Sequence, residues 1–260
     1  MHPLLFHFGK IAIPAYGVLT AAGLLAALAL LVLQARRLRL RPDKVWNLGL
    51  TAILAALFGE RLLLIATHFA IFRAHPFWIL GLATVPGTWI AVGGAAIGIA
   101  AAALYGLAEG LPLLRTADAA APALALAFAI NRIGAFCAGM DWGTPTRLPW
   151  GVTYRSVVAY LWYQTPLGVT LQPVQLYDAA ASLAIFALLL AMPHRRDGET
   201  AGVWLFLYGV SRFFLEFWRG NAQHVLGGAL TVAQVLAVAA VLAGGALWLR
   251  RHPRPVAVSA

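Results

Sequence analysis

Long apolar runs separated by short polar connections recur along the whole chain. Each run has about 20 residues, the length that a helix needs to cross the roughly 30 Å hydrocarbon core of a bilayer. The pattern therefore predicts an all-α polytopic integral membrane protein with seven transmembrane helices. The predicted spans are residues 11–34, 46–66, 88–107, 119–137, 174–192, 201–218 and 230–249.

The composition agrees with this prediction. Of the 260 residues, 62% are hydrophobic and only 11% are charged, whereas the surface of a soluble domain of this size needs far more charge. Residues 1–10 lack the basic segment of a removable signal peptide, so we expect the first run to be retained as a span. Cys137 is the only cysteine, which excludes an internal disulfide.

The basic residues predict the orientation. Eleven of the 19 Lys and Arg residues fall in one set of loops and five in the opposite set. Cytoplasmic loops are the richer in Lys and Arg, so we expect the N-terminus outside and the C-terminus in the cytoplasm. The net charge of +10 then reflects orientation and attraction to anionic membrane lipids rather than binding of nucleic acid.

The predicted organisation is a single membrane domain over residues 1–260. Residues 138–173 are too polar and too rich in Pro and Gly to span, so they predict a small cap on the outer face. Residues 250–260 predict a cytoplasmic tail. The chain shows no internal repeat, which argues against a transporter built from inverted repeats.

Charged residues occur inside the predicted spans, where each costs a few kcal/mol and marks function. Glu60 and Arg61 lie in the second span and Arg132 in the fourth. The sixth span carries four polar residues at steps of four, four and three, a spacing that places them on one helix face. They are Tyr208, Arg212, Glu216 and Arg219.

Two interpretations of these charges remain open. Arg212 and Glu216 suit a salt bridge that fixes helix packing. Arg132 has no acidic neighbour in its own span, which favours arginines from separate helices converging on an anion. A guanidinium binds phosphate oxygens in pairs. Gly93 and Gly94 suit close helix packing, and no spacing of His, Asp or Cys predicts a metal or cofactor site.

Several motifs, taken together, resemble those of the bacterial prolipoprotein diacylglyceryl transferase family. "RIGAFCAGMDWG" (132–143) resembles the signature of the family. "LQPVQLYDA" (171–179) is similar to the segment that opens its fifth span, and "YGVSRFFLEFWR" (208–219) to its Tyr-Gly-x-x-Arg-Phe-x-x-Glu-x-x-Arg segment. "AYG" (15–17) and Gly59–Arg61 resemble its motifs in the first two spans.

The resemblance implies transfer of an sn-1,2-diacylglyceryl group from phosphatidylglycerol to the lipobox cysteine thiol of a preprolipoprotein, in the bacterial cytoplasmic (inner) membrane. It implies that Arg132 and Arg212 are catalytic and bind the phosphate. It assigns substrate binding to Tyr16, Arg61, Gly93, Gly134, Gly143, Tyr208 and Glu216. Glu60 and Asp178, with Tyr16, are the candidate proton acceptors, and no cofactor or metal is implied.

The chain departs from the family pattern at four positions. The usual His before the double glycine is Val92, and the usual His before Pro-Val-Gln is Gln172. The Asn and Glu of the signature are Ala135 and Met140. Asn131, one helical turn before Ala135, and Asp141, next to Met140, are candidate replacements.

The departures keep two alternatives open. Val92 and Ala135 alter the pocket where the acceptor enters, which favours a family homologue that uses a different acceptor. The missing His favours a non-catalytic protein that binds phospholipid or lipoprotein. Release of glycerol phosphate discriminates the transferase from a binder.

Overall fold

The computed structural model describes residues 3–8, 11–75, 88–222, 224–225 and 228–250, and helices dominate it. The helices are α1 (Ala15–Arg37), α2 (Pro42–Thr67), α3 (Phe69–Ala74), α4 (Thr88–Ala108), α5 (Leu113–Ala138), α6 (Val157–Tyr163), α7 (Val174–Ala191), α8 (Glu199–Leu215) and α9 (Val232–Leu249), and a 3-10 turn covers Glu216–Trp218. Three antiparallel pairs of short strands join β1 (Leu4–Phe8) to β2 (Ile11–Pro14), β3 (Val152–Thr153) to β4 (Thr170–Leu171), and β5 (His224–Val225) to β6 (Leu230–Thr231).

Six of the described helices are long and apolar enough to cross a membrane, which confirms a polytopic all-α membrane protein. They are α1, α2, α4, α5, α7 and α9. The predicted sixth span, residues 201–218, corresponds to α8, which has 17 residues before the 3-10 turn. Residues 76–87, between the predicted second and third spans, and residues 251–260 of the predicted tail lie outside the described residues.

The helix boundaries follow local sequence signals. Pro42 begins α2 in the first turn, where a missing N–H costs nothing. Gly198 precedes α8 with a φ of 90°, a left-handed conformation that suits glycine. At α9, Thr231 and Gln234 form a reciprocal capping box, with hydrogen bonds of 3.1 Å and 3.0 Å.

The chain divides into two compact units. One comprises Met1–Gly23 with Leu124–Ala260, and the other comprises Leu24–Ala123. In the second unit α2 packs closely on α4 through glycines. A Cβ on Gly98 would lie 2.7 Å from the Ala52 carbonyl oxygen, and a Cβ on Gly94 would lie 2.9 Å from that of Ala56.

In the first unit α8 packs on α9 in the same way. A Cβ on Gly209 would lie 2.7 Å from the Ala237 carbonyl oxygen, and a Cβ on Gly244 would lie 2.6 Å from that of Gly202. Lipid gives little hydrophobic drive for helix association, so such close backbone approach supplies the packing energy. This pairing holds α8 in place against α9.

The predicted cap, residues 138–173, contains β3, α6 and β4 and is anchored by buried hydrogen bonds. The Thr165 hydroxyl lies 2.8 Å from the Gly139 carbonyl oxygen, and the Tyr154 hydroxyl donates to the Phe136 carbonyl at 3.2 Å. Gln175 of α7 donates from Nε2 to the Met140 carbonyl at 2.7 Å. These bonds fix the chain where it leaves α5, which is where the site begins.

Candidate active site

Six charged side chains of the first unit form a closed ring in which guanidinium and carboxylate groups alternate. Their side chains are between 2% and 15% exposed. The ring contains three arginines and three acids, so its charges balance. In order around the ring they are Arg132, Asp178, Arg212, Glu216, Arg219 and Asp141.

Asp178, in the first turns of α7, connects the two arginines that the sequence assigned to phosphate. Its Oδ2 atom lies 2.9 Å from Arg132 Nε and 3.4 Å from Arg212 Nη1. Arg132 comes from α5 and Arg212 from α8, so this single oxygen joins three helices. The predicted convergence of arginines from separate helices is present in the structure.

Glu216 closes the other side of the ring, again through one oxygen. Its Oε2 atom lies 3.0 Å from Arg212 Nη2 and 3.4 Å from Arg219 Nη1. The predicted Arg212–Glu216 salt bridge therefore exists. This salt bridge is one contact in a larger network of ion pairs. The two interpretations of the sequence, a salt bridge and a convergence of arginines, are therefore both present.

Asp141 completes the ring from the cap. Its Oδ2 lies 2.7 Å from Arg132 Nη1, and its Oδ1 is paired with Arg219 Nη2. Arg132 has no acidic neighbour in its own predicted span, as the sequence indicated. Its acidic partners, Asp141 and Asp178, come from outside its own helix.

The backbone around Asp141 brings its carboxylate to the ring. Gly139 and Asp141 have φ values of 83° and 58°, so the chain turns sharply after α5. The next residues pair with the chain after α8, since Thr144 N–H donates to the Trp218 carbonyl at 2.8 Å and Gly220 N–H to the Trp142 carbonyl at 2.9 Å. Asp141 and Arg219 are held side by side.

Gly143 acts through this backbone pairing. It forms a bridge with Arg219 on one side, and on the other a Cβ would collide with the Gln172 carbonyl oxygen. The structure thus gives Gly143 a packing role, and its role in substrate binding stays a prediction. Gly134 has a similar packing role between helices, since its Cβ would lie 3.0 Å from Leu19 Cβ in α1.

Burial alone would raise the pKa of Asp141, but the guanidinium groups of Arg219 and Arg132 outweigh it and hold that pKa at about 2. Asp141 is therefore fully ionised at neutral pH. Arg219 keeps a buried Nε–H that has no hydrogen-bond partner among the described residues. The ring thus retains an unused N–H donor, although its formal charges cancel.

Tyr16, at the start of α1, lies beside the ring. Its hydroxyl accepts a hydrogen bond from Asn131 Nδ2 at 3.2 Å, and the same amide donates to Thr20 Oγ1 at 3.0 Å. Because Tyr16 accepts here, its own proton stays available for a substrate. Ala135, where the family has Asn, is fully buried, and Asn131 supplies an amide on the same helix.

Tyr208 lies one turn before Arg212 and belongs to a stack of aromatic rings. Its ring centroid is 5.0 Å from that of Phe128 and 5.8 Å from that of Trp204. Its hydroxyl lies beside Arg132, Arg212 and Asp178. The polar face predicted for α8 is thus present, and the aromatic stack lies beside the ring of charged side chains.

Glu60, Arg61 and Gly93 belong to the second unit. The Arg61 guanidinium lies over the Phe72 ring at 5.3 Å. A Cβ on Gly93 would lie 2.5 Å from Leu63 Cδ1, and a Cβ on Gly94 would lie 2.7 Å from Glu60 Cβ. The structure thus gives Gly93 and Gly94 the close helix packing that the sequence suggested.

Sequence reasoning left Arg219 out of the assigned site and treated Asp141 only as a replacement for the signature Glu. The signal for Arg219 was present, three residues after Glu216 on the same face. It also missed Gln175, which donates a hydrogen bond to the carbonyl of Met140, the residue before Asp141. A buried glutamine in an apolar helix was the available signal.

The chain is similar in sequence to known proteins along nearly its whole length. The sequence model of the family described as prolipoprotein diacylglyceryl transferase matches residues 3–250. A protein of Clostridium tetani named phosphatidylglycerol–prolipoprotein diacylglyceryl transferase is 29% identical over 247 residues, which cover 94% of this chain and 95% of the relative. Proteins of the same name from Gloeobacter violaceus and a Nostoc species are 30% and 28% identical, covering 96% and 98% of this chain and 93% and 91% of the relatives.

Proposed function

Because the chain belongs to the prolipoprotein diacylglyceryl transferase family, we propose that it transfers the sn-1,2-diacylglyceryl group of phosphatidylglycerol to the lipobox cysteine thiol of a prolipoprotein and releases glycerol phosphate. The observation that carries the proposal is the buried ring around Arg132, Arg212 and Arg219. Ionisable groups are kept inside a membrane protein where they serve a substrate or ion. A lipid phosphate is a substrate that matches guanidinium chemistry.

We propose seven spans with the N-terminus outside, in which α8 joins the six candidate helices as the sixth span along the chain. With its 3-10 turn, α8 covers 20 residues, and it packs on the candidate span α9 at both Gly202 and Gly209. An odd number of spans places the termini on opposite faces, as the unequal distribution of basic residues requires. The ring then lies toward the outer face, where the predicted cap is, in the cytoplasmic membrane of a bacterium.

The reaction is a displacement at carbon. The cysteine sulfur attacks the glycerol carbon that bears the phosphate oxygen, a C–S bond forms, and the C–O bond breaks. The electron pair of that bond goes to the oxygen, so the product is a phosphomonoester. The thiol proton leaves to a base or to water, and the thiol is already a few per cent thiolate at neutral pH.

Arg132 and Arg212 stabilise the charge that grows on the leaving oxygen. Their donors are fixed before the reaction because Asp178 and Glu216 hold them, so no reorganisation is needed as charge develops. The phosphate gains negative charge as the bond breaks, and its attraction to the guanidinium groups therefore grows toward the transition state.

The candidate proton acceptors differ in their surroundings. Asp178 Oδ2 already lies between two guanidinium groups, which suits a residue that orients them. The Tyr16 hydroxyl already accepts a hydrogen bond from Asn131, which suits a donor to the substrate better than a proton acceptor. Glu60 lies in the other unit, with its Cβ against Gly94.

The test is turnover of the purified protein in detergent with phosphatidylglycerol and a lipobox peptide, measured as release of glycerol phosphate. We expect Arg132→Ala and Arg212→Ala to lower the rate by about 10²–10³-fold, the usual effect of removing a group that stabilises developing charge. Arg147→Ala is the matched control, because Arg147 lies exposed in the cap and should leave the rate unchanged.

A peptide with Ser in place of the lipobox Cys should give no transfer. Release of glycerol phosphate without transfer to the cysteine peptide would point to a different acceptor. If the wild-type protein binds phosphatidylglycerol yet releases no glycerol phosphate, it is a binder and the proposed function is wrong.

A further inference from the structure

We propose that Asp141 holds the place that the lipid phosphate takes during the reaction, and that the phosphate replaces its carboxylate between Arg132 and Arg219. Arg219 then becomes a third phosphate-binding arginine beside Arg132 and Arg212. The inference rests on the proposed function for the identity of the lipid. The exchange of anions is a property of the ring and is measured without turnover.

The first observation is the way in which the three carboxylates use their oxygens. The ion-pair contacts of Asp178 with its two arginines share Oδ2, and those of Glu216 with its two share Oε2. Asp141 gives Oδ2 to Arg132 and Oδ1 to Arg219. Two oxygens that bridge two guanidinium groups are what a phosphate provides.

The second observation is the position of Asp141 in the fold. Asp178 lies within α7 and Glu216 in the 3-10 turn that continues α8, so moving either would move a helix. Asp141 lies three residues beyond the end of α5, with a left-handed φ of 58° that non-glycine residues seldom adopt. Its carboxylate can leave the ring through a change in the cap alone.

The third observation is the charge balance. Three guanidinium groups face three carboxylates. A phosphodiester carries one negative charge, so exchange with the Asp141 carboxylate leaves the balance unchanged. Entry without exchange would place an uncompensated negative charge in a buried site, which is strongly unfavourable.

The same balance accounts for product release. Cleavage of the C–O bond leaves a phosphomonoester with a second ionisation near pH 6, so the ring would hold an excess negative charge at neutral pH. The return of Asp141 to Arg132 and Arg219 restores neutrality. The carboxylate thus favours departure of glycerol phosphate as well as yielding to the lipid.

Binding of glycerol phosphate to the full-length protein in detergent, measured by calorimetry at pH 7.5, tests the inference. Asp141→Asn should bind at least about tenfold more tightly than wild type, because a competing anion is gone. Glu216→Gln is the matched control, since it removes one negative charge from the same ring but leaves Asp141 between Arg132 and Arg219. Its affinity should change much less, and Arg219→Gln should bind more weakly than wild type.

Weaker binding by Asp141→Asn would show that Asp141 only positions the arginines and would overturn the proposal. An equal gain in Asp141→Asn and Glu216→Gln would show a general charge effect and would also overturn it. If Asp141→Asn does not fold, a structure of the wild-type protein with glycerol phosphate decides. A phosphate group bound to Arg132 and Arg219 with the Asp141 carboxylate displaced would support the proposal. An Asp141 carboxylate that still pairs with both arginines would reject it.

These outcomes are separable from those of the transferase assay. A wild-type protein that exchanges Asp141 for glycerol phosphate but transfers no diacylglyceryl group would disprove the proposed function and leave the exchange standing. A wild-type protein that transfers the diacylglyceryl group while Asp141 stays paired to both arginines would support the proposed function and disprove the exchange.

Discussion

Gln175 in α7 donates a 2.7 Å hydrogen bond to the main-chain carbonyl of Met140, the residue before Asp141. The donor is 2% exposed, so the bond lies in a place where water cannot replace it. It ties the helix that carries Asp178 to the turn that carries Asp141. Two carboxylates of the ring are therefore positioned through one amide.

Replacing Gln175 by Met, which has similar length and no donor, should lower the free energy of unfolding by about 1–3 kcal/mol, the cost of leaving a buried carbonyl unpaired. Turnover should fall as well, because Asp141 loses its support. The measurements are the thermal midpoint and glycerol phosphate release in the same detergent. Leu176→Met, at the exposed neighbouring position, is the control, and equal behaviour of the two variants would contradict the prediction.

Asp141 should make stability depend on pH in the acid range. Its pKa is about 2 in the folded protein against an ordinary value of 3.8. Since the folded-state pKa is the lower one, the stabilisation is complete above about pH 4 and is lost as the pH falls from about 4 to 2. Its size is about 2 kcal/mol, from 1.36 kcal/mol per pKa unit.

Thermal unfolding between pH 2 and pH 8 measures this effect. Asp141→Asn should have a lower midpoint than wild type above pH 4, and the two curves should approach each other below it. Asp43→Asn removes an exposed carboxylate and should run parallel to wild type. If the thermal midpoints of Asp141→Asn and of wild type stay parallel over the whole pH range, Asp141 does not lose its stabilising charge between about pH 4 and pH 2, and the prediction is wrong.

Asn131 and Tyr16 should act as a coupled pair. Asn131 orients the Tyr16 hydroxyl through the 3.2 Å hydrogen bond, so removing either partner removes the same function. We expect Asn131→Ala and Tyr16→Phe each to lower the rate, and the double variant to be about as slow as the slower single one. Additive losses in this double-mutant cycle would mean that the two residues work independently.

Adjacent glycines in α9 provide a test of its packing on α8. A Cβ on Gly244 would lie 2.6 Å from Phe206 N, whereas a Cβ on Gly245 would meet nothing within 4 Å. Gly244→Ala should therefore cost about 1–3 kcal/mol through overpacking. Gly245→Ala should be neutral or stabilise by about 0.4–1 kcal/mol. Similar thermal midpoints for the two variants would contradict the close approach of α8 and α9.

The sequence predicted the spans well because apolar length is a local property. Residues 174–192 became α7 (Val174–Ala191), and residues 88–107 became α4 (Thr88–Ala108). The prediction was wrong by most at the starts of the first and fourth spans, because residues 11–14 form β2 and α5 already begins at Leu113. The predicted sixth span, α8, ends at Leu215, before the predicted limit of 218. Its polar face belongs to the ring, and the same residues lower its hydropathy.

The ring itself could be predicted only in part. Helix spacing placed Arg212 and Glu216 on one face, because four residues make about one turn. No spacing rule joins Asp141 to Arg219, 78 residues later, since their contact depends on the left-handed turn at Asp141 and on pairing of the chain around Gly143 with the chain around Arg219. Contacts made by loops are set by the whole fold.

The order of the ring residues along the chain has a consequence for biosynthesis. They emerge as Arg132, Asp141, Asp178, Arg212, Glu216 and Arg219, so a positive charge is followed by two negative ones, and positive and negative charges then alternate to the end. The accumulated charge of these groups never differs from zero by more than one unit. The translocation machinery therefore never has to place more than one uncompensated ring charge in the membrane, and a nascent chain that stops before Arg212 leaves one carboxylate without its partner.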